Sequence, residues 1–184
     1  MKRIAVSLFL ALLLSACQTQ GGIRRISDDG TVEPIRPGMT RVKFKNHDTD
    51  HWIGSRKDDY TVMTCRPLGC PANTVVYMKN FPSTRNPDQT AVMNMAQKWV
   101  DSEIEKGSTI TVKPQLGRYK NFPAVSFAWS HVKNENTIYD YRKVVFAGGL
   151  AISLQAASLD KAYSPKAVDH FLAMIEIEDG GSLK

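Results

Sequence analysis

The chain has 184 residues, with 24 lysines and arginines against 18 aspartates and glutamates, a formal net charge of +6. The basic residues are scattered (Arg24-Arg25, Arg41 to Lys45, Arg118 to Lys120, Arg142-Lys143) with acids among them, so the dense cationic stripe that nucleic acid requires is missing. The length suits one domain with a real core.

The first element in chain order is a leader, MKRIAVSLFLALLLSA, which opens on Lys2 and Arg3 and runs apolar from Ile4 to Leu14 with only Ser7 interrupting. At ~1.5 Å rise per residue this run makes ~16 Å of helix, about half of a ~30 Å hydrocarbon core. It reads as an export signal, not a membrane span. Loss of Lys2 and Arg3 with the leader takes the net charge from +6 to about +4.

The leader closes on Leu14-Ser15-Ala16-Cys17. Basic start, apolar core, small residues at 15 and 16 and a terminal cysteine resemble the lipobox of bacterial lipoproteins. The resemblance covers the first 17 residues. It implies that residues 1–16 are a lipoprotein signal peptide and that Cys17 carries thioether-linked diacylglycerol, usually with an amide-linked third acyl chain. Two or three chains, at ~0.8 kcal/mol per buried methylene, hold a protein to a membrane durably. Gln18 stands where inner-membrane retention in enteric bacteria favours aspartate, so the resemblance implies the outer membrane over the inner. An ordinary cleaved signal peptide with an incidental cysteine is the competing reading.

Residues 18–40 contain four glycines, two prolines and few large apolar side chains. Together with Cys17 they read as a lipidated N-terminus and flexible tether, reaching some ~25–30 Å from the anchor. The folded domain is expected over 41–178, followed by a polar tail over 179–184.

Beyond the tether, short segments of strand character appear at Arg41–Lys45, Tyr60–Thr64 and Thr74–Lys79. The second of these leads into Thr64-Cys65-Arg66-Pro67-Leu68-Gly69-Cys70. With Cys17 taken by lipid, Cys65 and Cys70 are the remaining pair in an oxidising compartment, and Pro67 and Gly69 supply a tight turn between them. A structural disulfide is expected, closing a loop that contributes only ~2 kcal/mol by chain entropy. A redox or metal role and free thiols are the alternatives. The spacing departs from a thioredoxin-like pair, and a zinc site needs two more ligands nearby.

A helix over about 87–106 is marked by Asn86 as cap, Pro87 in the first turn, Asp88 on the dipole and Gly107 after the last turn. Ala91, Val92, Met95, Ala96 and Trp99 form its apolar stripe. Next come a short strand at Thr109–Lys113 and three alternating segments, 122–131, 137–147 and 150–156, separated by Asn134-Glu135-Asn136-Thr137 and Gly148-Gly149. These read as an antiparallel meander. A last helix over about 165–177 opens on Ser164 as cap and Pro165, with Val168, Phe171, Leu172 and Ile175 on one face.

The fold class is therefore α+β: an antiparallel sheet, the 122–156 meander plus N-terminal strands, packed by two amphipathic helices. This order of elements over 41–178 resembles the PsbP-like α/β/α domains, which bacterial DcrB-like lipoproteins also carry. The resemblance rests on element order and implies a non-enzymatic binding or assembly domain.

Three constellations are candidates for chemistry. His47 and His51 of His47-Asp48-Thr49-Asp50-His51 carry metal-ligand side chains, with a solvated polar turn as the alternative. Tyr139 and Tyr141 share a strand face with Lys143 and form a candidate binding face, against the alternative that they lie beneath a helix. Catalysis finds no support: there is no G-x-S-x-G elbow, phosphate loop or dinucleotide fingerprint, and Ser130 beside His131 points to the opposite face of its strand. No cofactor beyond the Cys17 lipid is expected. The reading is a lipid-anchored envelope lipoprotein whose domain binds another envelope protein in assembly or stabilisation. Its partners are the membrane, through the lipid, and that protein; nucleic acid is not among them, and the sequence leaves the oligomeric state open. A periplasmic small-ligand or metal-binding lipoprotein is the alternative, and a hydrolase the third reading.

Overall fold

Val125, Phe127 and Trp129 alternate with Ala124, Ser126 and Ala128 along a single strand, and that alternation decides which helix lies on which side of the sheet. The computed structural model describes residues 40–44, 51–57, 60–66, 69–71, 73–84 and 86–179. The lipobox, the tether to residue 39, His47 and the 180–184 tail lie outside the described residues.

In chain order the elements are β1 (Thr40–Phe44), β2 (Trp52–Lys57), β3 (Tyr60–Cys65), β4 (Val75–Pro82), α1 (Gln89–Glu105), β5 (Thr109–Tyr119), β6 (Phe122–Lys133), β7 (Asn136–Ala147), β8 (Leu150–Ser158), α2 (Tyr163–Met174) and β9 (Ile175–Asp179). Seven strands form one antiparallel sheet in the order β2-β3-β4-β8-β7-β6-β5, and β1 pairs with β9 in a separate two-stranded ribbon. The α+β architecture is as expected, with the meander at its centre.

The two turns of the meander set its register. Asn134 and Glu135 take φ of 49° and 63°, and Gly148 and Gly149 take 55° and 93°, the paired positive angles of two-residue hairpins whose twist matches the strands. Because side chains alternate, Val125, Phe127, Val144 and Phe146 face α1, where they bury Val92, Ala96 and Val100. On the opposite face Val145, Ile152, Leu154 and Ala156 meet Ala167, Val168, Phe171 and Leu172 of α2. The small side chains of β6 lie on the α2 side. Trp52 on β2 seals that core edge-on to Phe171, ring centres 4.7 Å apart.

Helix ends differ from the expectation by a residue or more. Asp88, not Asn86, caps α1, its carboxylate accepting the Ala91 N–H at 2.7 Å. The far end is closed by Gly107, φ 85°, with Gly107 N–H donating to the Ile104 carbonyl and Ser108 N–H to Glu103, the paired bonds of a Schellman motif. Ser164 does not cap α2: its hydroxyl donates to the Tyr139 carbonyl at 2.7 Å, tying the helix to β7. The turn before α2 is held by Asp160, which accepts from Ala162 N–H through its carboxylate and from Tyr163 N–H through its carbonyl.

The last helix stops at Met174 and not near 177. Ile175 adopts φ −91°, ψ 131°, and residues 175–179 pair with β1, Ile177 opposite Val42 and Ile175 opposite Phe44. Ile175 to Ile177 fits a helix stripe and a strand face equally well, and the waiting edge of β1 decides for the strand. The strand expected at 109–113 continues to Tyr119, with register shifts between Ile110 and Gln115 that accommodate Pro114 on this edge strand.

Candidate functional site

Helix α1 lies over β5 and β6, packs on side chains of β7 and touches Phe81 of β4 through Trp99, and among the described residues no helix covers the same face of β2, β3 and the first half of β4. The side chains there stand in the open: Ile53 is 53% exposed, Tyr60 42% and Tyr77 36%. Between this uncovered face and the flank of α1 runs a groove of about 360 Å³. Tyr60, Tyr77, Lys79 and Phe81 line it from β3 and β4 and Trp99 from the helix, with Ser153, Gln155 and Arg142 completing the lining.

Register builds the floor. Tyr77 of β4 stands opposite Gln155 of β8, Gln155 opposite Arg142 of β7, and Arg142 opposite Phe127 of β6, a single row across four strands. Lys79, two residues from Tyr77 on the same face, holds its ammonium 4.8 Å from the Tyr60 ring centre. Phe81 meets Trp99 edge-on at 5.8 Å, and Trp99 stacks on Phe127 at 6.3 Å.

Arg142 is the unusual residue, a guanidinium in the interior of a central strand. It sits 5.2 Å from the Trp129 ring centre, 5.7 Å from Phe127 and 5.9 Å from Trp99. Its Nη2 donates to Gln155 Oε1, and Gln155 Nε2 donates to Asp140 Oδ1 at 2.8 Å. Asp140 Oδ2 lies 3.1 Å from His131 Nδ1 without an aligned hydrogen bond, and Arg142 Nε is buried with no partner. Burial lowers the Arg142 pKa, opposed by the charges of Glu103, Asp140 and Tyr60, and the guanidinium remains a cation. Burial raises the Asp140 carboxyl and the nearby Glu103 charge adds to this, while the Gln155 hydrogen bond, His131 and Arg142 oppose it.

This arrangement offers rings, donors and cations; it presents no activated nucleophile. The lining holds no cysteine and no histidine, and the Asp140–His131 contact lies outside it.

The residues singled out from sequence fall elsewhere. Tyr139, Tyr141 and Lys143 do share one face of β7, and it is the face that α2 covers. Tyr141 packs against the α2 core, Lys143 Nζ contacts Asp169 of α2 at 3.0 Å, and both tyrosines line a hollow of about 120 Å³ beside Ser164 and Pro165. The open aromatic face is on the other side, at Tyr60 and Tyr77. Cys65 and Cys70 are disulfide-bonded, Cα atoms 6.1 Å apart. Cys65 ends β3 in the core, and the loop returns Gly69 against His51. A Cβ on Gly69 would stand 2.7 Å from His51 Cβ and Cγ, so only glycine permits this approach. The His51 carbonyl accepts the Arg66 N–H at 2.7 Å, extending the β2–β3 ladder by a pair. His47 is outside the described residues, and among the described residues no group of three or more His, Cys, Asp or Glu could hold a metal ion. Among them, too, no helix is long and apolar enough to cross a membrane.

No protein-family model matches the chain, and no curated protein matches it. Solved structures do. LpqN of Mycobacterium tuberculosis, described as involved in cell envelope biogenesis, aligns with a TM-score of 0.52 at 16% identity, covering 77% of this chain and 86% of LpqN. Cyanobacterial PsbP (CyanoP) of Synechocystis aligns with a TM-score of 0.52 at 9% identity, covering 81% of this chain and 98% of that one. The chain has the LpqN and PsbP fold. A Bacteroides thetaiotaomicron protein also aligns, with a TM-score of 0.52 at 11% identity, and its 79% share of this chain answers to 47% of its own length. The fold expected from element order is thus the fold observed, at identities that carry architecture and nothing finer.

The groove residues were missed in sequence because Tyr60, Tyr77 and Arg142 lie on three separate strands. One signal was legible: Arg142 interrupts the apolar face of Ile138, Val144 and Phe146, and a charge in the interior of a central strand needs a reason.

Proposed function

We propose that this chain is a lipid-anchored envelope protein whose domain acts by binding a partner protein and not by catalysis, with the uncovered face of β2–β4 beside α1 as the contact surface. The observation that carries the reading is the exposure of Ile53, Tyr60 and Tyr77 together on one sheet face that neither α1 nor α2 covers among the described residues. Exposed aromatic groups around a concave centre are what protein-contact surfaces enrich. The Leu14–Cys17 lipobox supports anchoring, and the fold shared with LpqN fits an envelope role. Thr40, where the tether joins the domain, donates its hydroxyl to the Gly148 carbonyl at 2.8 Å. The first strand therefore starts beside the Gly148-Gly149 end of the sheet.

Crosslinking in intact cells, followed by purification through a carboxy-terminal tag, tests the reading. A specific envelope protein captured by wild type and lost in both Cys17→Ala and Tyr77→Ala is the expected outcome. Capture that survives Tyr77→Ala and Tyr60→Ala would remove this face from the interaction. A soluble wild-type protein would remove the anchor.

A second reading, small-ligand binding, is favoured by the groove itself, which is concave and polar at its base. The metal form of that reading is tested by metal analysis of protein purified without a histidine tag, compared with His47→Ala.

A further inference from the structure

The seven-stranded sheet ends on two edges of different build, β5 and β2. Along β5 the register shifts between Ile110 and Gln115, with Pro114 inside that stretch, and such bulges and a missing donor keep an edge strand from pairing further. β2 has neither: Trp52 to Lys57 pair with β3 residue for residue, and among the described residues no strand lies on their other side. We propose that this edge pairs antiparallel with the β2 edge of a second copy of the chain, across a two-fold axis at Gly54. The inference goes beyond the partner-binding reading, because it states the form in which the uncovered face is presented.

The ladder fixes which backbone groups face outward. Arg66 N–H donates to the His51 carbonyl, so that opposed pair is hydrogen-bonded across β2 and β3, while Cys65 N–H is spent on Thr74 toward β4. In an antiparallel ladder every second pair is bonded, so Ile53, Ser55 and Lys57 turn their N–H and C=O groups to β3, and Trp52, Gly54 and Arg56 turn theirs to the open edge. A two-fold axis at Gly54 sets Gly54 opposite Gly54 of the second copy and each Trp52 opposite an Arg56, which satisfies all three residues of both edges with about six hydrogen bonds. The register is self-complementary: glycine stands at the crossing, and no arginine or lysine falls opposite another. Opposed residues share a face, so Ile53, Tyr60 and Tyr77 of the two copies come to lie on one surface built from β2, β3 and β4 of each. Ile53, 53% exposed in a single copy, stands near its centre. The strand of an unrelated protein could meet the same donors; the self-matching register is what points to a second copy.

The test is amide hydrogen exchange of the full chain, read residue by residue at a series of protein concentrations, with the number of chains per particle taken from sedimentation in density-matched micelles. Ile53 and Ser55 N–H should exchange slowly at every concentration, because β3 holds them. Gly54 and Arg56 N–H should slow by about tenfold or more over the concentrations at which one chain per particle becomes two. Arg56→Pro removes an outward donor and leaves the inner ladder intact, so it should return one chain per particle with Ile53 and Ser55 still protected. Should that variant lose the inner protection, the wild-type exchange decides alone. Gly54 and Arg56 exchanging fast at every concentration would overturn the proposal. So would two chains per particle with those amides unprotected, a pair that survives in a folded Arg56→Pro, or protection of those amides at one chain per particle, which would put the edge under a segment of its own chain. The cellular crosslinking experiment is read separately: a captured envelope protein with one chain per particle discards the pair and keeps the contact face.

Discussion

Asp140 shows how a residue's surroundings set its chemistry. Its carboxyl is buried at 3% exposure and shares Gln155 with the Arg142 guanidinium. Burial holds its folded-state pKa above the ordinary 3.8. A raised pKa contributes stability that is fully present below pH ~3.8 and is lost as pH rises through the folded value, because the folded state binds the extra proton. An amide at this position does not titrate, so the stability of Asp140→Asn relative to wild type is expected to increase as pH rises through that window and level off above it. Urea midpoints at a series of pH values measure this. A difference that does not vary with pH would show that the ionised carboxylate is not strained by burial. Gly69 is a second case. Gly69→Ala places a methyl group against His51 Cβ and Cγ and is expected to cost ~1–3 kcal/mol with the disulfide still formed, read as a lower urea midpoint.

At the scale of elements, the Cys65–Cys70 bridge ties the end of β3 to the turn that leads back into β4, where Cys65 N–H donates to the Thr74 carbonyl at 3.0 Å. Replacing both cysteines by serine is expected to lower stability by ~2 kcal/mol, the entropy of so short a loop, while leaving the strand pairing intact. Mass analysis without reductant should find the wild-type chain lighter by one pair of hydrogens than its reduced form. The other element that matters is β9. Ile175 is 1% exposed within the α2 core and also pairs with Phe44 of β1. Ile175→Ala should cost ~2–5 kcal/mol by denaturation, more than a residue near the end of an exposed terminal helix would. The sequence pattern put Ile175 on a helix face because its spacing from Val168, Phe171 and Leu172 is helical. It missed that the chain had a strand edge to complete. β2 was missed for the opposite reason: Trp52-Ile53-Gly54-Ser55-Arg56-Lys57 is too polar and too short of β-branched residues to read as a strand, and it forms through pairing with β3.

At the scale of the molecule, the sheet is longer than either helix can cover. α1 and α2 each occupy one face, and strands β2 to β4 have their second face left over. That remainder is the groove, so the candidate site follows from how far α1 reaches and from no local motif. By itself the sequence determined the α+β class, the meander with its two glycine- and asparagine-bearing turns, the inward stripes of both helices and the cysteine pair. Those features depend on periodicity, turn chemistry and spacing, which are properties of neighbours along the chain. Tertiary structure alone decided which face of β7 is open, because alternation sorts Tyr139 and Tyr141 from Arg142 without saying which side a helix will cover. It also assembled Tyr60, Tyr77, Trp99 and Arg142 from four elements, and it turned residues 175–179 from helix to strand, since contacts between distant segments outweigh local preference wherever that preference is nearly balanced.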